Sequence, residues 1–219
     1  MSKKQALTEF HRGSILAAAE RLFAEKGIDK TTMDDIARES EYSKATLYVY
    51  FQSKEEIINA IFLSGLVLLQ RKLQEAIDTA ANWYEAYEGM CAAVVRYYGE
   101  RPEACGVLVN GGAGLQEDAH LDQEVRDILR VRRSIGQLLA DFLRQGAQEG
   151  LIRLDLRAEE LVLLFWSALE GIVRMASQRD AYLGQTLEVD RDVFLRHGCQ
   201  MLLHAITNPA PAEEAAQPE

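Results

Sequence analysis

The segment SKATLYVYFQSKEE, residues 43–56, places Tyr48, Tyr50 and Phe51 within four positions, with Lys44 and Lys54 on either side. A tyrosine hydroxyl and a lysine ammonium both donate hydrogen bonds to oxyanions, while the aromatic ring packs against apolar neighbours. A core strand would use such residues. So would a helix that packs on one side and touches a partner on the other. Other reactive groups are scattered along the chain. Cys91, Cys105 and Cys199 are odd in number and widely spaced. They match neither a metal-type pair nor a disulfide framework, and read as buried free thiols. The stretch NGGAG at 110–114 has no preceding strand and lacks the Gly-Lys-Ser/Thr ending of a phosphate-binding loop, so it reads as a loop or helix break. Glu117, Asp118, His120 and Asp122 could surround a divalent cation, but Asp118 more simply caps the helix that follows, and no metal is expected. His11, His197 and His204 stand alone and need no special role. With no nucleophile and base at a recognisable spacing, neither an enzyme nor a cofactor is expected.

The elements that must position residues 43–56 follow from apolar periodicity and capping residues. No convincing run alternates with period 2, and the chain reads as all-α. A first helix spans about Thr8 to Lys26, with Ile15, Ala18, Ala19, Leu22 and Phe23 as its stripe and Gly27 as C-cap. A second opens at Thr31-Thr32, with Asp34 and Asp35 in its first turn, buries Met33, Ile36 and Ala37, and ends near Ser40. Ser43 caps a short third helix over Ala45–Val49. Ser53-Lys54-Glu55-Glu56 forms a capping box for a fourth, which continues to about Ala80. Two short helices joined by Ser40-Glu41-Tyr42 have the spacing of a helix-turn-helix. Leu47 and Phe51, each four residues after the one before it in the series from Ser43, point into a small core, and Thr46, Tyr48 and Tyr50 point away from it.

The stretch ILAAAERLFAEKGIDKTTMDDIARESEYSKATLYVYFQSKEEIINAIF resembles the DNA-binding domain of the TetR family of bacterial transcriptional regulators. The likeness rests on Ala19, Leu22, Phe23 and Gly27, on Thr31, Thr32, Ile36 and Ala37, on Thr46, Leu47 and Tyr48, and on Tyr50, Phe51 and Lys54. It covers about fifty residues with matching internal spacing. The family usually carries Ala-Gly-Val-Ser at the turn, where this chain has Ser40-Glu41-Tyr42-Ser43, so a positive φ there would cost Glu41 more than a glycine. The resemblance implies that the third helix enters a major groove by its N-terminal end, at Ser43, Lys44 and Ala45. Ala45 and the Thr46 methyl would meet thymine methyls, and Tyr48 and Tyr50 would donate to phosphate or bases. Lys54 would pair with phosphate, as would Thr32 from the start of the second helix.

The net charge of −10 argues against wholesale nucleic-acid binding, but it is unevenly spread. Residues 1–60 carry 9 Lys/Arg against 10 Asp/Glu, and residues 61–219 carry 15 against 24. Residues 1–52 read as the DNA-binding domain, 53–207 as a larger helical ligand-binding and dimerisation domain, and 208–219, rich in Pro, Ala and Glu, as a disordered tail. Further helices are expected over 83–100, 103–115 after Pro102, 119–149 ended by Gly150, 157–179, and 190–207 capped by Asp190. The run LVLLFW at 161–166 is apolar on every side of a helix, so it requires cover from a partner as well as from its own domain. Leu161, Phe165, Ala168 and Gly171, with Phe194, Gly198 and Met201 on the last helix, are the expected interface of a homodimer, which the family resemblance also implies. Phe62, Trp83, Tyr87, Tyr97, Phe142 and Trp166 are candidates to line an apolar ligand pocket of the kind common in that family. No apolar stretch suits a membrane span or a signal peptide, so a cytoplasmic location is expected. The leading reading is a repressor that binds a palindromic operator as a homodimer and is released by a small apolar or amphipathic ligand. The alternatives are an enzyme using the cysteines or the acidic-His cluster, and a helical dimer that has lost DNA binding through its Glu41 turn.

Overall fold

Leu47, Phe51, Ile15, Ala19, Ile36, Ala37, Ile57 and Ile61 converge on one core in the N-terminal part of the chain. The structure is a computed structural model, in which residues 2–100 and 123–207 are described. The expected helix at 103–115, Pro102, Cys105, the NGGAG stretch, the acidic-His cluster and the tail lie outside the described residues. Among the described residues the protein is all-α, with one isolated bridge pairing Ile152 and Thr207. The helices are α1 (Lys3–Lys26), α2 (Met33–Glu39), α3 (Lys44–Tyr50), α4 (Lys54–Thr79) and α5 (Trp83–Glu100), followed by α6 (Gln123–Gln148), α7 (Ala158–Gln178), α8 (Asp180–Thr186) and α9 (Arg191–His204). None is long and apolar enough to cross a membrane.

The caps explain most of these bounds. Gly27 ends α1 at φ 83°, a value that favours glycine, and its N–H donates to the Phe23 carbonyl. Helix α1 starts five residues before the expected Thr8, because Ser2 and Gln5 form a reciprocal capping box. At α4, Ser53 Oγ accepts the Glu56 N–H as expected, but the Glu56 carboxylate accepts the Gln52 N–H at 2.6 Å instead of closing a box on Ser53. Asp190 caps α9 through the N–H groups of Asp192 and Val193. Helix α8 was not expected. It has no side-chain cap and buries only Leu183, so it carries almost no periodic signal.

Two compact units divide the described residues. One holds the residues up to Val67 with 123–129, and the other holds 68–100 with 130–207. Helix α4 begins in the first and ends in the second. In the second unit, α5, α7 and α9 pack together and bury Tyr98, Leu169, Val173 and Leu195. Trp83 stacks on Phe142 with ring centroids 4.6 Å apart, and its Nε1–H donates to the Phe142 carbonyl. Gly146 permits this arrangement, since a Cβ there would sit 2.6 Å from the Trp83 ring.

The turn between α2 and α3 holds Glu41 at φ 61°. A non-glycine residue in that region costs about 1–2 kcal/mol, offset in part by the greater entropy that glycine loses on folding. Glu41→Gly is therefore expected to stabilise the first unit by about 0.5–1 kcal/mol, read as a higher midpoint in urea unfolding. A lower midpoint would mean that the Glu41 side chain contributes more than its backbone costs.

Candidate nucleic-acid interface and ligand cavity

Helix α3 presents its outer face on the small core just described. Leu47 and Phe51 are fully buried, whereas Ser43, Lys44, Ala45 and Tyr48 are exposed and Thr46 is half-buried. Ser43 Oγ accepts the Thr46 N–H at 3.1 Å and lies 2.8 Å from the Thr46 hydroxyl, which pins the helix start. Tyr50 departs from the expected outward direction. It is half-buried against the core, with its ring 5.5 Å from that of His11, because a residue three positions after Leu47 shares its side of the helix. Val49 is the exposed apolar residue of α3 that the sequence reading did not single out.

The basic groups are held in specific ways. Lys44 Nζ sits 2.7 Å from Asp34, and that carboxylate raises the lysine above its usual range. Both side chains are solvent-exposed, so the pair is weak and salt-screened, and Lys44 remains able to turn toward another anion. Lys54 Nζ donates to the carbonyls of Ile28 and Thr31 at 3.0 and 3.1 Å. It thus ties the α1–α2 connection to the start of α4 and retains one further N–H. Lys54→Ala is expected to lower urea stability by about 1–2 kcal/mol through those lost bonds. It should also weaken DNA binding alike for all sequences and reduce the salt slope by about one for each copy. A stability loss with an unchanged salt slope would leave Lys54 a purely structural residue.

Thr32 is engaged locally. Its hydroxyl donates to Asp35 at 2.8 Å, and its N–H is accepted by the same carboxylate at 3.0 Å. Lys26 and then Thr32 hold the Asp35 carboxyl well below the usual carboxylate range. That contribution to stability is present above the usual carboxylate range and is lost as the pH falls below it. A phosphate contact from Thr32 would have to exchange with this bond.

Two groups that set the pose of α3 were missed from sequence. Arg12 Nη1 donates to the Tyr50 carbonyl at 2.7 Å, and its guanidinium lies 4.1 Å from the centroid of the Phe51 ring. Glu56 and Glu124 flank it at 3.8 and 4.0 Å. His11, read as having no role, shares a 2.6 Å hydrogen bond with the Tyr42 hydroxyl in the turn. No local pattern signals either contact, since the partners are 31 and 38 residues apart.

In the second unit Tyr87, Phe142 and Trp166 line an apolar cavity of about 70 Å³, with Leu73, Met90 and Leu169 among its other walls. Trp83 is buried beside it on Phe142. Tyr97 lies on a separate groove of about 420 Å³. Phe62 lies in the first unit and does not line the cavity: its apolar character did not distinguish one end of α4 from the other. A larger groove of about 650 Å³ shares Tyr87 and Cys91 with the cavity. It carries Arg96, Arg191 and Arg196 alongside Glu88, Glu100 and Asp192. Arg191 Nη2 donates to Ser177 at 3.1 Å, while its buried Nε has no hydrogen-bond partner among the described residues.

The all-round apolar run on α7 divides into two sides. Leu161 is buried and Phe165 lines the cavity, so neither is on the outer face. Leu163 and Leu164 are 58% and 52% exposed, Met175 is 49% and Met201 on α9 is 60% exposed. Ala168, Gly171 and Phe194 are half-buried. Gly198 packs within its own chain, where a Cβ would lie 2.8 Å from Ile172 Cγ2.

Comparison with known proteins agrees with this geometry. The family model described as bacterial regulatory proteins, tetR family, matches residues 15–61. The transcriptional repressor KstR2 of Mycobacterium tuberculosis is 30% identical over 145 residues, which cover 66% of this chain and 70% of that protein. The solved structure of ketosteroid transcriptional regulator KstR2 from the same organism aligns with a TM-score of 0.59 at 22% identity, over 90% of this chain and 95% of that one. The regulator FadR of Bacillus subtilis, solved in complex with stearoyl-CoA, aligns with a TM-score of 0.66 at 17% identity, over 87% of this chain and 96% of that one.

Proposed function

Since the chain belongs to the TetR family of bacterial regulatory proteins and is a transcriptional regulator, we propose that it represses transcription by binding a palindromic operator as a homodimer and leaves that operator when a small amphipathic ligand binds its second unit. The observation that carries this reading is the outer face of α3. Lys44, Ala45 and Tyr48 stand exposed over a core closed by Leu47 and Phe51. The helix start, where base contacts are made in helix-turn-helix proteins, is thereby free of packing duties.

The uncovered side of α7 supports the dimer. Leu164, Ala168, Gly171 and Met175 follow at spacings of four, three and four, so they form one stripe. An isologous interface uses the same stripe from both chains.

The ligand class follows from size and polarity. A cavity of about 70 Å³ is well below the roughly 300–1,000 Å³ of small-molecule sites, whereas the adjoining groove of about 650 Å³ is within that range. A ligand with an apolar portion against Tyr87 and Cys91 and an anionic group on Arg96, Arg191 and Arg196 would use both. Stearoyl-CoA, the compound held by the Bacillus subtilis regulator, has that character. Helix α4 contributes Lys54 to the first unit and Leu73 to the cavity wall, so a ligand that displaces one end of this helix acts on the other.

Reciprocity supplies the test. A hundredfold loss of operator affinity on ligand binding corresponds to about 2.8 kcal/mol of coupling, and the operator must weaken the ligand by the same factor. A ligand found by thermal-shift screening, with stearoyl-CoA in the first set, would be titrated calorimetrically into free and operator-bound protein. Equal affinity in the two titrations would remove the release mechanism.

A further inference from the structure

We propose that Cys91 and Cys199 are a peroxide-reactive pair that closes to a disulfide within one chain, joining α5 to α9 at the floor of the large groove. Packing of α5 against α9 places both on one groove. Cys91 is one helical turn after Tyr87, so the two side chains share a face of α5. The Tyr87 hydroxyl donates to the Cys199 carbonyl at 2.9 Å, which sets the middle of α9 against that face. Both cysteines line the groove of about 650 Å³, so a small oxidant can reach them, and Cys91 also forms part of the wall of the smaller cavity. Neither is in a disulfide in this structure.

The two sulfurs have different characters. The influence of the Cys199 side chain, followed by burial, keeps Cys91 protonated above the usual thiol range. The influence of Cys91 lowers Cys199, which is the less buried of the two. Cys199 is the more accessible of the two to an oxidant in the groove, so Cys199 attacks first and Cys91 resolves. The Cys199 sulfur attacks one oxygen of hydrogen peroxide, the O–O bond breaks, and the departing hydroxide takes a proton and leaves as water. The Cys91 sulfur then attacks the Cys199 sulfenic acid, the S–O bond breaks, the S–S bond forms, and a second water leaves. Two thiols supply two electrons and two protons, and one peroxide becomes two waters. The reaction does not depend on the ligand-release reading. It would give the groove a second input, because the shared wall between groove and cavity is then covalently fixed.

The test uses the full chain treated with hydrogen peroxide, then unreduced digestion and mass mapping. The expected result is a peptide pair joined through Cys91 and Cys199, lighter by two hydrogens, on a chain that remains unlinked to others in a denaturing non-reducing gel. Cys105→Ser should keep this product, and dithiothreitol should remove it. In Cys91→Ser, a sulfenic acid trapped by dimedone should accumulate on Cys199, whereas Cys199→Ser should leave Cys91 unlabelled. Oxidation that links Cys105 to either cysteine, that joins Cys199 to its copy in another chain, or that leaves both thiols titratable at peroxide concentrations that oxidise Cys105 would overturn the proposal.

Discussion

Gly171→Glu is expected to leave the fold of the chain intact and to abolish the proposed dimer at micromolar concentration. A Cβ at position 171 meets nothing within 4 Å among the described residues, and replacing a helical glycine improves helix propensity by a few tenths of a kcal/mol or more. The single chain therefore has room for the side chain's first carbon, and its stability should change little. In a two-fold interface built on the Leu164, Ala168, Gly171 and Met175 stripe, two carboxylates enter the same apolar patch. An uncompensated charge buried in this way costs about 3–5 kcal/mol, which is on the order of a hundredfold to a few thousandfold in the dissociation constant. Light scattering and urea unfolding measure the two expectations separately. Operator affinity should fall with the dimer, since one reading head then acts without its tethered copy. Gly198 is unsuitable for the same experiment. Even alanine there strikes Ile172 at 2.8 Å and disturbs the contact between α7 and α9 within the chain. A Gly171→Glu protein that remained dimeric would place the interface elsewhere.

Tyr48→Ala is expected to lower operator affinity by about two orders of magnitude with little change in stability. Tyr48 is 38% exposed and stands outside the core cluster, so its removal takes less from the core than that of Leu47 or Phe51. A hydrogen bond from a hydroxyl to a phosphate is worth about 1.5 kcal/mol at the low end for charged partners. A dimer loses it twice, about 3 kcal/mol, or roughly 150-fold. Leu47→Ala provides the contrast one position earlier. Leu47 is fully buried, and its truncation should cost about 2–5 kcal/mol of stability. Anisotropy titrations with labelled operator, beside urea unfolding of each variant, separate the two effects. Unchanged affinity in Tyr48→Ala would remove this face of α3 from the DNA contact.

The contrast between Tyr48 and Leu47 was legible in the sequence because a helix repeats its faces every three to four residues and the caps that frame α3 are local. Ser43, Thr32, Gly27 and Asp190 each act on neighbours within a turn, so their roles could be read from adjacent letters. Glu41 stood out for the same reason, as a non-glycine residue at a turn that takes a positive φ. Tyr50 was misjudged because its spacing from Leu47 was given less weight than its place beside Tyr48. On α7 the run LVLLFW has no polar residue to mark its outer side, so Leu161 and Phe165 could not be told from Leu163 and Leu164. Arg12, His11 and Lys54 make contacts across 23 to 38 residues, and nothing local records them. The bond from Tyr87 to the Cys199 carbonyl is of the same kind, because it depends on how α5 and α9 pack.

Reading of DNA by two α3 helices at once is the claim on which the rest depends, and a footprint combined with stoichiometry tests it directly. DNA from upstream of the gene that encodes this chain would be probed by nuclease protection, and the complex weighed by sedimentation. The account predicts two chains per site and two protected half-sites whose centres are one helical turn, about 34–36 Å, apart or a multiple of it. Protection of a single half-site by one chain, or binding no stronger than to unrelated DNA at the same salt, would contradict it.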